Sequence, residues 1–224
     1  LDEEVGLGGA APRSPLSSSL GRALFVARAD YRGDEALLSV PLAGGAATRL
    51  NPLHARGPEQ GRVWSYASTP DGEQVVYLAD QEHVGHLDLY AVPSDGSAAP
   101  LRLHDADSWS ARVPLPDQTV DAEGASFRLT ATGTHVVHLA DPDANERHEL
   151  FLAALDASSP ALALGSGEGV LRGFALEPAG TQVVFLRSDE ANVSALWRVP
   201  RDASAAPTRL SGARVAGGDV EAFT

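Results

Sequence analysis

The chain contains no cysteine and no methionine in its 224 residues. Without cysteine there are no disulfides, thiolate metal sites, iron–sulfur clusters or cysteine nucleophiles. The compartment stays open on this count, because a disulfide-free protein can work outside the cell as well as inside. Without an initiator methionine, the chain reads as a processed or excised product, from which a signal peptide could have been removed. Positive charge is scarce: 17 basic residues stand against 30 acidic ones, a net charge of -13. Phosphate backbones need basic patches, so nucleic acid is not the expected partner. No apolar run approaches the length of a membrane span, so no membrane insertion is expected. Helical periodicity over ten or more residues with caps is also missing. Apolar residues nevertheless make up 43% of the chain, enough for one sizeable core.

What is present is a repeat. WSYASTPDGEQVVYLAD (Trp64 to Asp80), SFRLTATGTHVVHLAD (Ser126 to Asp141) and GFALEPAGTQVVFLRS (Gly173 to Ser188) share one pattern, with a weaker copy, SSSLGRALFVARAD, from Ser17 to Asp30. Gly21, Gly72, Gly133 and Gly180 serve as anchors. A second motif follows each: ALLSVP, LDLYAVP, HELFLAAL and ALWRVP. A turn and a short strand close each unit: LAGGAATRL, SDGSAAPLRL, DASSPALAL and RDASAAPTRL. Unequal spacing between the anchors puts insertions into loops, where repeat folds accept them.

Each unit predicts four strands, a to d. Strand a is typified by Val63 to Ser68. The turn Thr69-Pro70-Asp71-Gly72 leads into strand b, rich in β-formers at Val75 to Leu78. Strand c runs from Leu87 to Val92, with Pro93 ending regular pairing, and strand d from Leu101 to Leu103. Strand b is apolar on both faces, as expected where a sheet lies between two others. Bulky side chains recur at matched places: Tyr77, His138 and Phe185 on strand b, and Tyr90, Phe151 and Trp197 on strand c. The expected fold is all-β: a β-propeller of four-stranded antiparallel blades, about four repeats at 17–51, 63–104, 125–165 and 173–211, in one domain over 1–224.

The runs TPDGEQVVYLAD and LYAVPSDGSA resemble the WD40-like (PD40) repeat of TolB-type β-propellers, over most of the chain from Leu16 onward. Ala131-Thr132-Gly133 and Pro178-Ala179-Gly180 depart from the full Pro-Asp-Gly. The resemblance implies a periplasmic or secreted propeller. Some such propellers bind proteins, and others gate a serine peptidase. The first unit lacks a clear strand a within Leu1 to Pro15, whereas residues 219–224 form a spare one. Closure of a four-bladed ring by that strand is the first expectation, and a fragment of a larger array the second.

Several residue groups invite a chemical reading. Asp141, Asp143, Asn145 and Glu149 place oxygen ligands at the alternation of a calcium loop, although without the EF-hand glycine and terminal glutamate; a solvated polar turn is the first expectation for them and calcium the second. His83 and His86, with Asp80 and Asp88, suit either a transition metal or a wet loop. His135 and His138 fall on opposite faces of one strand and should not share a ligand, with His138 packed. Gly165-Ser166-Gly167 reads as a turn, and no Gly-x-Ser-x-Gly, His-Glu-x-x-His, P-loop or dinucleotide signature occurs, so no catalytic residue and no cofactor is assigned. Asn192-Val193-Ser194 is a formal glycosylation sequon. Trp109 with Arg112, and His54 with Arg56, lie in the two long connections between units and are the candidate interaction residues, the alternative for Trp109 being that it folds back to cover a blade edge. The expected function is a non-catalytic scaffold for protein–protein interaction or assembly, binding a protein partner or self-associating through rim loops or end strands. The propeller portion of a serine peptidase and a small-ligand or carbohydrate-binding propeller are the alternatives.

Overall fold

The computed structural model describes residues 21–28, 35–52, 62–82, 87–103, 126–141, 148–165, 170–188, 193–212 and 220. Fifteen strands and no helix are found among them. Sheet 1 holds β1 (Arg22–Arg28), β2 (Glu35–Pro41) and β3 (Thr48–Arg49). Sheet 2 holds β4 (Val63–Ser68), β5 (Gln74–Ala79), β6 (Asp88–Pro93) and β7 (Leu101–Arg102). Sheet 3 holds β8 (Phe127–Leu129), β9 (His135–Ala140), β10 (Glu149–Ala154) and β11 (Leu162–Gly165). Sheet 4 holds β12 (Val170–Leu176), β13 (Gln182–Ser188), β14 (Ser194–Pro200) and β15 (Thr208–Arg209). Every sheet is an antiparallel meander in chain order. The expected strand a of the first unit and the spare strand at 219–224, of which only Val220 is described, lie outside the described residues.

Local chemistry explains the meanders. In the turn between β4 and β5, Gly72 takes φ 72° and donates to the Thr69 carbonyl at 2.8 Å, while Asp71 accepts from the Glu73 N–H at 3.0 Å. Gly133 and Gly180 repeat the conformation at φ 68° and 70° without the Pro-Asp pair. Positive φ is thus the shared requirement, and proline is dispensable. Pro93 belongs to β6, paired with Gln74, rather than lying beyond it. Its missing N–H is harmless at a strand's last position, and its carbonyl accepts from Gly96. Gly165 likewise ends β11, paired with Leu150, rather than starting a turn.

The sheets stack in order, with one core between each pair. Leu24, Leu37 and Leu50 of sheet 1 meet Val75, Tyr77 and Val92 of sheet 2. Val76, Leu78 and Leu89 of sheet 2 meet Val136, Phe127 and Leu155 of sheet 3. Val137, Leu139 and Leu150 of sheet 3 meet Val183, Phe185 and Val199 of sheet 4. β5 and β9 are therefore buried on both faces, which accounts for their lack of alternation. Each leucine fully withdrawn from water contributes about 1.5–3 kcal/mol.

One expectation needs correcting. Equivalent backbone bonds run from Leu42 N–H to the Gly21 carbonyl, from Ser94 to Glu73, from Leu155 to Thr134, and from Arg201 to Thr181. Gly21 therefore matches Glu73, one residue past the anchor Gly72. With the register so shifted, Phe25, not Val26, is the counterpart of Tyr77, His138 and Phe185. It pairs with Leu38 as they pair with Tyr90, Phe151 and Trp197.

Candidate interaction surface

Antiparallel meanders sort the connections by end. At one end, tight turns join β4 to β5 and β6 to β7, with their counterparts in the other sheets. At the opposite end β1, β5, β9 and β13 finish, β3, β7 and β11 finish, and β4, β8 and β12 begin. The segments flanked by these strand ends include the ones that carry most of the candidate residues. His54, Arg56, Trp109, Arg112, Asp143, Asn145, His83 and His86 themselves lie outside the described residues.

The described side chains at this end form linked polar groups, densest on sheet 2. Tyr77 and Tyr90 stack with centroids 5.3 Å apart. The Tyr77 hydroxyl donates to Gln81 Oε1 at 2.8 Å, and the Tyr90 hydroxyl to Glu82 Oε1 at 3.2 Å. Arg102, opposite Tyr90 on β7, spans two carboxylates: Glu82 at 3.1 Å and Asp88 at 3.0 Å. Burial pushes both phenols above the usual tyrosine range, so they stay protonated donors. Asp80 accepts from the Arg62 N–H, and the Arg62 guanidinium lies 4.6 Å above the Trp64 ring. Trp64 is the extra residue of a bulge, since Val63 pairs with Ala79 but Ser65 with Leu78.

Neighbouring sheets are tied at the same end. Glu35 Oε2 of sheet 1 accepts from the Val63 N–H of sheet 2 at 3.0 Å. Within unit 1, Arg49 holds the Glu35 end of β2 by donating to the carbonyls of Asn51, Glu35 and Pro52. Arg187 of sheet 4 donates to the Gly165 carbonyl of sheet 3 at 3.2 Å. Burial lowers the Arg187 guanidinium's proton affinity, and Glu149 opposes that shift.

Of the calcium-loop residues, Asp141 is buried just beyond β9, and Glu149 opens β10 opposite Ala140. Among the described residues no group of three or more His, Cys, Asp or Glu is placed to hold a metal. Asp80 and Asp88 are engaged by Arg62 and Arg102. His138 is fully buried and stacks on Phe151 at 5.8 Å, as its aromatic position predicts, whereas His135 is half-buried and meets Thr134 Oγ1 at 2.9 Å. Two groups escaped sequence reasoning. Arg102 was legible in principle, because Arg49, Arg102 and Arg209 recur on strand d of three units, each opposite the bulky strand-c position. The Arg62–Trp64 pair depends on the bulge, which leaves no local signature.

Among the described residues of this end, Asp80 accepts from the Arg62 N–H, Asp88 and Glu82 are paired with Arg102, and the Tyr77 and Tyr90 phenols are protonated. No protein-family model matches the chain, and no curated protein sequence matches it. Solved structures do match. A TolB structure from Agrobacterium tumefaciens has TM-score 0.50 at 16% identity, over 84% of this chain and 60% of that one. A puromycin-hydrolyzing peptidase of Mycobacterium tuberculosis has TM-score 0.54 at 17% identity, over 89% of this chain and 30% of that one. A prolyl endopeptidase structure has TM-score 0.55 at 11% identity, over 89% and 29%. The likeness is one of fold: the antiparallel sheets are blades of a β-propeller, four-stranded in sheets 2, 3 and 4 and three-stranded among the described residues of sheet 1. The chain spans less than two thirds of the length of each. Among its described residues, no helix is long and apolar enough to cross a membrane.

Proposed function

We propose that the chain is a non-catalytic β-propeller scaffold that binds a protein partner through the end of the stack where strands b finish and strands a begin. The observation that carries this reading is the exposed Arg62 lying over the half-buried Trp64, with the partly exposed Arg102 on the last strand of the same sheet. Arginine, tryptophan and tyrosine are the residues that most often dominate binding energy. Trp109, Arg112, His54 and Arg56 belong to connections flanked by the same strand ends, which extends the proposed surface. A periplasmic or extracellular setting is part of the proposal.

The test is affinity capture on the immobilised chain from extracts of its source, run beside a double variant, Arg62→Glu with Trp109→Ala. A partner held by the wild type and lost by the folded variant supports the reading. Capture unaffected by the variant removes this surface from it.

A second reading, the propeller portion of a serine peptidase, is favoured by the likeness to two peptidase structures, of which the chain spans only 30% and 29%. The coding sequence around this segment decides between the two. An in-frame Gly-x-Ser-x-Gly on a strand-to-helix turn would move the function to the peptidase.

A further inference from the structure

Sheets 2 and 4 carry equivalent positions with their charges rearranged. In sheet 2 Tyr77 pairs with Tyr90, and Tyr90 with Arg102; in sheet 4 Phe185 pairs with Trp197, and Trp197 with Arg209. Two residues after Tyr77 stands Ala79, directly opposite Asp88. The corresponding pair in sheet 4 is Arg187 and Ala195. Directly opposed residues share one face of a sheet, as do residues two apart on one strand. Across strands b, c and d, that face of sheet 2 therefore reads alanine, aspartate, arginine. The same face of sheet 4 reads arginine, alanine, arginine.

In sheet 2 the diagonal between Arg102 and Asp88 is closed by a bond of 3.0 Å from Nη2 to Oδ1. In sheet 4 the same diagonal runs from Arg209 to Ala195, which is 7% exposed and offers a methyl group where sheet 2 has a carboxylate. Arg209 donates through Nε to Ser211 Oγ at 3.2 Å, and its Nη groups have no partner among the described residues. Its counterparts are fully engaged: Arg49 by the carbonyls of Asn51, Glu35 and Pro52, and Arg102 by Glu82 and Asp88. On the other side of Ala195, Arg187 lies 5.0 Å from the Phe185 ring and donates through Nη2 to the Gly165 carbonyl at 3.2 Å. Glu149 of sheet 3 offsets the Arg187 charge. No carboxylate among the described residues pairs with Arg209, so one positive charge is left in excess.

We propose that sheet 4 binds a small carboxylate ligand between Arg209 and Arg187, in the place that the Asp88 side chain fills in sheet 2. The ligand's carboxylate accepts from the Nη groups of Arg209 along the diagonal that Arg102 uses. The planar fork of a guanidinium matches a carboxylate, and partial withdrawal from water strengthens the pair. Trp197, half-buried and directly opposite Arg209, borders the site and suits an aromatic or apolar body on the ligand. Phe185 and Trp197 on this face pack against sheet 3, so the site lies between two described sheets. It is separate from Arg62 and Trp64 of sheet 2, and the inference is independent of the partner-binding reading above.

The test is an NMR titration of the isotope-labelled chain with benzoate, and with the uncharged benzamide as control, at constant ionic strength. Benzoate is expected to shift the Nε–H signals of Arg209 and Arg187 saturably, and benzamide to leave them in place. Arg209→Gln, at an exposed position, should keep the fold and weaken benzoate binding about tenfold or more. Ala195→Asp supplies the carboxylate from the chain itself, so it should raise the thermal midpoint and abolish the benzoate response. A response that does not saturate, or one that benzamide equals, overturns the proposal. So does undiminished binding in Arg209→Gln, or a lowered thermal midpoint in Ala195→Asp. Asp189 and Glu190 lie outside the described residues. If either already fills the site, the wild type gives no benzoate response, and that result overturns the proposal too.

Discussion

Tyr77 and Tyr90 stand directly opposite each other on β5 and β6, with ring centroids 5.3 Å apart and planes 20° from parallel. Tyr66 on β4 pairs with Tyr77 from the other side, so three aromatic rings cross sheet 2 in one row. The same row reads Phe127, His138 and Phe151 in sheet 3, and Phe174, Phe185 and Trp197 in sheet 4. These rows fill the space between sheets and carry the stack.

Removing part of the row has a graded cost. Tyr77→Phe keeps the stack but leaves the buried Gln81 Oε1 without its donor, an expected loss of about 1 kcal/mol. Tyr77→Ala also opens a cavity in a fully buried site and is expected to cost about 3–5 kcal/mol. Urea unfolding at neutral pH measures both, and equal losses would contradict the packing role assigned to the ring.

Arg102 compensates the buried carboxylate of Asp88. Arg102→Met is expected to destabilise the protein by about 1–3 kcal/mol, because it removes the cation that faces this buried carboxylate and leaves the Tyr90 hydroxyl on it. Combining it with Asp88→Asn should recover part of the loss, giving a favourable coupling energy in a double-mutant cycle. Strictly additive losses would show that the pair is not coupled.

Ala157 and Ala203 occupy the left-handed conformation at φ 51° and 53°, where Gly44 and Gly96 stand in the other two sheets. Alanine-to-glycine changes normally destabilise. Here, at the exposed Ala157, relief of backbone strain is expected to prevail, and Ala157→Gly should raise stability by about 1 kcal/mol. Gly96→Ala should do the opposite, through both its φ of 70° and the clash with Thr48. A shift in thermal midpoint of the same sign for both variants would refute this account.

Acid sensitivity follows from the turns. Asp95, Asp156 and Asp202 are held below the usual carboxylate range by the side-chain hydroxyls and backbone N–H groups of Ser97, Ser158 and Ser204. A depressed folded value means that the unfolded chain binds more protons, so stability rises with pH through this range. The contribution is present above the unfolded value of about 3.9 and is lost as pH falls through the lower folded values. The urea midpoint should therefore drop between pH 5 and pH 3, and less steeply in the triple Asp→Asn variant. An unchanged slope in that variant would assign the acid sensitivity to other groups.

Much of the architecture was readable along the chain. Val63 to Ser68 and Val75 to Leu78 were expected as strands, and both lie in strands, because turn chemistry and β-formers act within a few residues. Unit 1 was misplaced by one residue. Gly21 has the positive φ of an anchor, 64°, but its carbonyl takes the hydrogen bond that Glu73 takes in sheet 2. A one-residue slip is invisible in a strand that is apolar on both faces, yet it exchanges every inward and outward side chain. For the interaction surface, matched bulky positions on strands b and c were visible, whereas the bulge at Trp64 and the bond between Glu35 and Val63 were not.

The sequence by itself determined an all-β chain of repeated antiparallel units, with bulky residues at equivalent positions and tight turns at glycines such as Gly72. Those properties follow from φ preferences, β-propensity and hydrophobic pattern, all of which act locally. Only the tertiary structure decided that Arg102 joins Asp88 and Glu82, that Glu35 bonds across to sheet 2, and that Phe25 and Leu210 stay exposed at opposite ends of the stack. Each of these depends on register or on which sheet lies alongside, and both are settled by contacts between residues far apart in the chain.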